Sequence, residues 1–251
     1  MKNKKTYYYE SLQDDFFNDG KQHKLNDDYV WVRRDLPSRF LSALIYALAL
    51  IFSNVYCRLF LHIKIIGAQK ARKNDGGFFM YGNHTQPIGD VFDPALICFP
   101  KRIYTVVGAA NMDLPFIGKI LPFLGALPIP DTLSGMKKFQ NAIEYRVGSG
   151  HPVIIYPEAH VWSYYTGIRK FGPTSFKYPV NLDVPVFCMT ATYRKRKFFK
   201  KPNINIYIDG PFRAEGSKKE RAEKLCADVY ECMTRRSLES DCEYINYIKK
   251  V

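Results

Sequence analysis

The hydrophobic positions of this chain form one long apolar segment followed by shorter segments of alternating periodicity. Residues 40–57 contain no charged side chain, and Arg39 and Arg58 flank them. A helix of this length spans about 27 Å, close to the apolar thickness of a bilayer. We therefore predict a hydrophobic, membrane-contacting helix over residues 36–60. A full span, a position within one leaflet and burial in a protein core are all compatible with this pattern.

Beyond residue 60 the pattern changes repeatedly between that of a strand and that of a helix. Apolar and polar residues alternate over 61–65, as in a half-buried strand, and apolar residues spaced by three and four follow residue 133. Ser217 and Glu220 form a capping box that would open the last helix. Strands are predicted at 61–65, 77–81, 102–107, 152–156, 184–190 and 203–208, and helices at 91–98, 114–124, 133–148 and from 218 onwards. This order predicts a single α/β domain over residues 61–251, with a central, mostly parallel or mixed sheet flanked by helices.

The first 35 residues form a separate polar, aromatic-rich segment. They lack the basic and then apolar shape of a secretory signal. Their charges alternate with the aromatic residues Tyr7, Tyr8, Tyr9, Phe16, Phe17, Tyr29 and Trp31. We expect a cytosolic or interfacial extension here.

Charge and cysteine content narrow the classes of partner and cofactor. The chain has 37 Lys and Arg against 24 Asp and Glu, a formal net charge of +13. An anionic partner such as phospholipid, nucleic acid or a phosphorylated cofactor would match this charge. The six cysteines lie far apart without ligand spacing, so we expect neither a metal site nor a disulfide framework.

The loop after the strand at 77–81 carries the strongest candidate chemistry. It has the sequence NHTQPIGD over residues 83–90, and α/β folds present catalytic groups on loops at strand ends. A neutral imidazole such as that of His84 can take a proton from a hydroxyl while a carboxylate, here Asp90, holds its other nitrogen. The structural alternative is that Asp90 only caps a helix beginning at Val91.

Four sequence blocks occur in a characteristic order, at residues 83–90, 114–118 with 125–129, 156–158 and 184–186. Together they make residues 60–210 resemble the glycerolipid acyltransferases, the lysophosphatidate (1-acylglycerol-3-phosphate) acyltransferase-like proteins. The resemblance implies transfer of a fatty acyl group from acyl-CoA or acyl carrier protein to a hydroxyl of a lysolipid, without a cofactor or metal. It makes His84 the general base, Asp90 its partner and residues 61–251 the acyltransferase domain.

The resemblance also assigns residues to substrate binding. Asn83 belongs to the first block, and Glu158 stands in the sequence YPEA where the family has FPEG. The structural alternative is that Glu158 only caps or forms a salt bridge at the end of a strand. His160, two residues further on, would be either a second polar contact to the acceptor or a structural imidazole.

Three positions depart from the family pattern. Five residues separate His84 from Asp90 where the family has four, so the loop must absorb one residue or Asp93 must replace Asp90. Asp131 stands in place of an arginine, and residues 159–161 (AHV) replace Gly-Thr-Arg.

The last two changes remove cations that would hold an acceptor phosphate. Nearby cations that could substitute, unless they are only solvated charges, are Arg169, Lys170 and Lys177. An acyltransferase acting on an acceptor without phosphate, and a catalytically idle relative that binds acyl chains or anionic lipid, therefore stay open as alternatives.

A basic run with two phenylalanines, residues 194–201, suits anionic headgroups or the phosphates of CoA. Basic residues beside aromatics also bind single-stranded nucleic acids. No nucleic-acid motif accompanies the run, so nucleic acid is not expected as a partner. We predict a membrane-associated protein at the cytoplasmic face, whose partners are the phospholipid surface, the lysolipid acceptor and the acyl donor.

Overall fold

Strands and helices alternate along most of the chain in the computed structural model, which describes residues 4–16, 24–25 and 28–250. The strands are β1 (Thr6–Tyr9), β2 (Ile63–Ile66), β3 (Phe79–Gly82), β4 (Tyr104–Val107), β5 (Ala126–Pro128), β6 (Val153–Ile155), β7 (Val186–Arg194), β8 (Asn203–Phe212) and β9 (Asn246–Lys249). The helices are α1 (Leu36–Leu59), α2 (Gln69–Arg72), α3 (Gly89–Cys98), α4 (Ile117–Leu124), α5 (Leu133–Gly148), α6 (Lys177–Leu182) and α7 (Lys218–Ser237), with 3-10 turns at Ala109–Asp113 and Pro173–Phe176.

Seven of the described strands form a central sheet in the order β2-β8-β7-β3-β6-β4-β5. The five strands from β7 to β5 are parallel to one another. Strand β8 runs antiparallel to β7, and β2 is parallel to β8. The predicted mixed, mostly parallel sheet is therefore confirmed. Because parallel strands end at the same edge, the segments that follow β3, β6 and β7 meet there.

Helices cover both faces of this sheet. In β3 the side chains of Phe79 and Tyr81 enter a core shared with α5 and α7, while Met80 enters a second core shared with α1, α2 and α3. This alternation follows from the two-residue period of a strand. The result is a three-layer α/β fold, as the order of elements predicted.

One predicted helix boundary and one structural alternative are wrong. The helix predicted over 114–124 begins only at Ile117, because a residue before proline, here Leu114, avoids the helical region. Asp90 does not cap a helix beginning at Val91, since α3 already begins at Gly89 and Asp90 lies in its first turn.

The N-terminal segment packs on the domain where it is described. β1 pairs in parallel with β9, joining the two ends of the chain. Trp31 is buried, and its Nε1 donates to Pro128 O (3.0 Å). Residues 1–3, 17–23, 26–27 and 251 lie outside the described residues, among them Phe17 of the predicted extension. The boundary at residue 35 stays a prediction.

Helix α1 exposes most of its apolar side chains. Only Ser53 and Cys57 are buried, so the alternative of a core helix is wrong. Among the described helices, α1 alone is long and apolar enough to cross a membrane. One side of it is nevertheless tied to the domain, because Ser42 Oγ donates to Phe123 O (2.8 Å) and Tyr46 Oη accepts from Ile103 N (3.1 Å).

Candidate active site

His84 and Asp90 form a hydrogen-bonded pair where the chain leaves β3. The Nδ1 atom of His84 lies 2.8 Å from Oδ2 of Asp90. Asp90 is buried, while the His84 side chain keeps 21% of its surface exposed. Burial raises the pKa of Asp90, and the hydrogen bond with His84 opposes this shift. A carboxylate on Nδ1 favours the tautomer whose lone pair is on Nε2.

His84 lies in the loop before α3. The extra residue between His84 and Asp90 therefore lengthens this loop and does not rotate Asp90 away from the imidazole around a helix. Gln86 N donates to Asp90 Oδ2 (2.9 Å), and Asp90 N donates back to Gln86 O (3.2 Å), which closes a turn before α3. A Cβ at position 89 would overlap Gln86 Oε1, so any other residue in place of Gly89 would displace the Gln86 side chain. Asp90 therefore reaches the imidazole.

Asp93, the alternative partner, faces away from His84. Its carboxylate accepts from Gln86 Nε2 (3.1 Å) and lies 3.4 Å from the Cys57 thiol of α1. Burial raises the pKa of Asp93 well above its usual range, and the nearby Asp90 carboxylate raises it further. Geometry thus pairs His84 with Asp90.

Tyr156 holds the imidazole from the end of β6. Its ring stacks on the His84 ring with centroids 4.5 Å apart, and its hydroxyl donates to Asp90 O (2.6 Å). Among the described residues, no hydrogen bond involves Nε2 of His84. The ring is therefore fixed on one nitrogen and one face, with the second nitrogen available to a substrate.

Glu158 and Arg169 form a buried ion pair directly behind His84. Arg169 lies 3.0 Å from Glu158 through Nη2, and both side chains have at most 1% exposure. The Glu158 carboxylate also accepts from His84 N (3.1 Å) and Arg169 N (2.9 Å). Burial raises the pKa of Glu158, and the Arg169 charge lowers it. The pair therefore anchors the His84 backbone, and neither side chain faces solvent.

Asn83 links the same loop to β7. Its Nδ2 donates to Ala191 O (3.0 Å), and its Oδ1 accepts from Ala191 N (2.8 Å). Both ends of the buried amide thus bond to backbone. The predicted role of Asn83 in substrate binding stays a prediction, and the structure shows it fixing the start of the His84 loop.

Within the described residues, no side-chain contact joins the His84 imidazole to the remaining predicted binding residues, His160, Lys170 and Lys177. His160 Nδ1 is 3.0 Å from Asp15 Oδ2, which joins it to the N-terminal segment. Lys170 and Lys177 are exposed. Within the described chain, neither lysine side chain has a hydrogen bond or ion pair to the His84 loop.

The basic run forms the exposed turn between β7 and β8. Arg196 lies over the Phe199 ring (4.1 Å) and Lys197 over the Phe198 ring (5.3 Å). Because β7 is parallel to β3, this turn lies at the same edge of the sheet as His84. The sequence could not show this position, which depends on strand order.

Two of the cysteines approach an aspartate, although their spacing gave no sign of it. Potential ligand atoms of Cys188, Asp209 and Cys232 lie within 4.8 Å of one another. Asp209 already accepts from Lys70 Nζ (2.9 Å) and Arg236 Nε (2.7 Å). Two cations thus balance this carboxylate, which favours an ion-pair network over metal ligation.

A family model described as Acyltransferase matches residues 62–192, which is more than half of the 251-residue chain and includes the His84 loop and Glu158. The chain belongs to the acyltransferase family. The predicted family and enzyme class are thereby confirmed.

The fold of this acyltransferase is shared with a solved structure. The 1-acyl-sn-glycerophosphate (LPA) acyltransferase PlsC from Thermotoga maritima matches with a TM-score of 0.56 and 16% identity. The match covers 83% of this chain and 84% of that one. No match was found in a comparison with curated protein sequences.

Proposed function

We propose that this acyltransferase moves a fatty acyl group from a thioester, acyl-CoA or acyl carrier protein, to a hydroxyl of a lysolipid of the lysophosphatidate type. The observation that carries the proposal is the His84–Asp90 pair, with Nδ1 held at 2.8 Å and Nε2 left for substrate. The structural likeness to a 1-acyl-sn-glycerophosphate acyltransferase supports the acceptor class.

In the proposed acyl transfer, one group, the His84 imidazole, takes up a proton and later returns it. The acceptor hydroxyl gives its proton to Nε2 of His84 while its oxygen forms a bond to the thioester carbonyl carbon. Asp90, hydrogen-bonded to Nδ1, stabilises the imidazolium that results. The tetrahedral intermediate then breaks its C–S bond, and the imidazolium returns the proton to the leaving thiolate. No covalent acyl-enzyme forms.

The acceptor itself has two candidates. A phosphate-bearing acceptor agrees with the exposed Lys170 and with the basic 194–201 turn at the His84 edge. An acceptor without phosphate is favoured by two other observations: Asp131 is exposed at the position of a family arginine, and Arg169 is buried against Glu158.

Labelled acyl transfer tests this proposal. Each acyl donor, acyl-CoA or acyl carrier protein, is offered with lysophosphatidate and with matched glycerolipid acceptors that lack phosphate. A variant in which His84 is replaced gives the background rate of transfer. Transfer above background to lysophosphatidate supports the main proposal, and preference for the uncharged acceptors supports the second candidate. Binding of acyl donor without transfer to any acceptor would instead indicate the idle relative.

Membrane contact is proposed for the exposed face of α1. Leu48 and Ile51 are 59% and 64% exposed in mid-helix, so burial of either in lipid would contribute about 1.5–3 kcal/mol. We expect Leu48→Glu and Ile51→Glu each to weaken binding to phosphatidylcholine vesicles by about tenfold or more, as measured by flotation. Leu238→Glu, which changes an 80% exposed residue after α7, is the matched control.

The same vesicles separate a surface helix from a spanning one. The domain contacts made by Ser42 and Tyr46 favour a helix that lies along the membrane surface. Alkaline carbonate should therefore release the protein from the vesicles, and retention after that wash would contradict the surface position.

A further inference from the structure

Four arginines meet at the edge of the sheet opposite His84. Arg33 precedes α1, Arg39 lies in its first turns, Arg102 precedes β4 and Arg146 lies near the end of α5. They line one pocket of about 90 Å³. Because β3 and β4 run in the same direction, the segment before β4 and the loop after β3 lie at opposite edges.

The described hydrogen bonds of Arg102 and Arg146 go to uncharged acceptors. Arg102 Nη2 donates to Ser42 Oγ (2.6 Å) and Phe123 O (2.5 Å), and Arg146 Nη2 donates to Trp31 O (3.4 Å). Within the described part of the chain, the buried Nε atoms of Arg102 and Arg146 have no hydrogen-bond partner. No acidic residue is among those described as lining the pocket. The described lining of the pocket therefore contains four arginines and no carboxylate.

The electrostatics of neighbouring groups agree with an excess of positive charge. Burial lowers the pKa of Arg146, Tyr104 and Tyr145 oppose this shift, and the charge of Arg102 adds to it. Burial lowers the pKa of His151 as well, followed by the charges of Arg146 and Arg102. Asp35, two residues after Arg33, accepts from Ser38 N (2.8 Å) and caps α1. The hydrogen bonds with Ser38 lower the pKa of Asp35, and the charge of Arg33 also lowers it, so this carboxylate offsets part of the charge of Arg33.

We infer that this arginine pocket binds the phosphate group of an anionic phospholipid headgroup. Guanidinium groups bind phosphate oxygens through paired hydrogen bonds, and a pocket of this size admits several waters and so a phosphate. Leu36 and Phe40, 76% and 75% exposed, are close in sequence to the lining residues Ser38 and Arg39 in the first turns of α1. A lipid whose chains contact them would bring its headgroup to the arginines. This site lies across the sheet from His84 and does not depend on acyl transfer.

The test compares binding to vesicles of phosphatidylcholine with and without phosphatidylglycerol. Arg33 and Arg39 are exposed, so the double variant Arg33→Gln/Arg39→Gln preserves the buried contacts of the pocket. We expect it to bind the anionic vesicles about thirtyfold more weakly and the neutral vesicles as before. The variant Lys218→Gln/Lys219→Gln removes the same charge from the start of α7, where both lysines are exposed, and should stay within about twofold of wild type.

A second arm uses soluble ligands, inorganic phosphate and glycerol phosphate, at constant ionic strength in a thermal-shift assay. A preference for anionic vesicles that depends on Arg33 and Arg39 supports the headgroup site. Equal losses in both double variants would mean diffuse attraction and would overturn the site. Saturable binding of soluble phosphate that needs both arginines, without their affecting vesicle binding, would overturn the lipid assignment.

Discussion

Replacing His84 with asparagine is expected to lower kcat/KM for acyl transfer by about 10²–10⁴-fold, because the variant loses its general base. An asparagine Nδ2 lies close to the position of imidazole Nδ1 and can still donate to Asp90. It has no group that can take the acceptor proton at the position of Nε2. The rates would be measured with the preferred donor and acceptor, together with a thermal melt to verify folding.

The choice of asparagine separates chemistry from folding. Alanine would leave the buried Asp90 carboxylate without its His84 hydrogen bond, and an unsatisfied buried group costs about 1–3 kcal/mol. His62→Asn is the matched control, because His62 is exposed and has a positive φ (50°) that asparagine tolerates. Wild-type rates in a folded His84→Asn protein would rule out a catalytic role for this imidazole.

The core of the site could be predicted because its signals are local. His84 and Asp90 are six residues apart, and the strand before them is short and wholly buried. The choice between Asp90 and Asp93 could not be made from spacing. It depends on where α3 begins and on the Cys57 thiol, which α1 brings to Asp93 (3.4 Å) from 36 residues away.

The surroundings of the site depend on pairings between distant residues. β1 pairs with β9 at the other end of the chain, and neither segment shows an alternating pattern. Trp162 stacks on Tyr247 (4.9 Å) and donates from Nε1 to Asp14 O (2.8 Å), which brings both chain ends to the segment after Glu158. Periodicity reports which side of an element is buried, but not which distant element covers it.

Tyr156 and the buried state of Arg169 were missed for a related reason. Tyr156 begins the third block, so its position could be seen, whereas its stacking on His84 requires β3 and β6 to be neighbours. Arg169 looked like a free cation because charged residues are rarely buried unless they are paired. Its partner Glu158 lies 11 residues earlier, across a loop with no periodic pattern.

Arg169→Met is expected to destabilise the fold by about 3–5 kcal/mol, because it leaves the Glu158 carboxylate buried without its cation. That carboxyl group would then be favoured in its protonated form, since burial already raises its pKa and the Arg169 charge opposes the shift. A protonated group accepts less well from the two backbone N–H groups, of His84 and of residue 169, that it now binds. Urea unfolding measures the loss.

Three further variants test whether the buried ion pair is the cause of this loss of stability. Glu158→Gln/Arg169→Met removes both charges and keeps one of the two oxygens that accept from the backbone N–H groups, so it should recover part of the lost stability. Arg169→Lys keeps a cation for Glu158 and should fold. Lys170→Met changes the exposed neighbour and should stay within about 0.5 kcal/mol of wild type. A loss in Lys170→Met as large as that in Arg169→Met would contradict the buried-pair explanation.

Kinetics of the folded variants then distinguish positioning from substrate binding. Because Glu158 bonds to the backbone of His84, displacing the pair should lower kcat by a similar factor for acceptors with and without phosphate. A direct contact between Arg169 and an acceptor phosphate would instead raise KM for phosphate-bearing acceptors alone. The near-complete burial of this ion pair predicts the first pattern, in which Arg169 acts on the reaction through Glu158 and the His84 backbone.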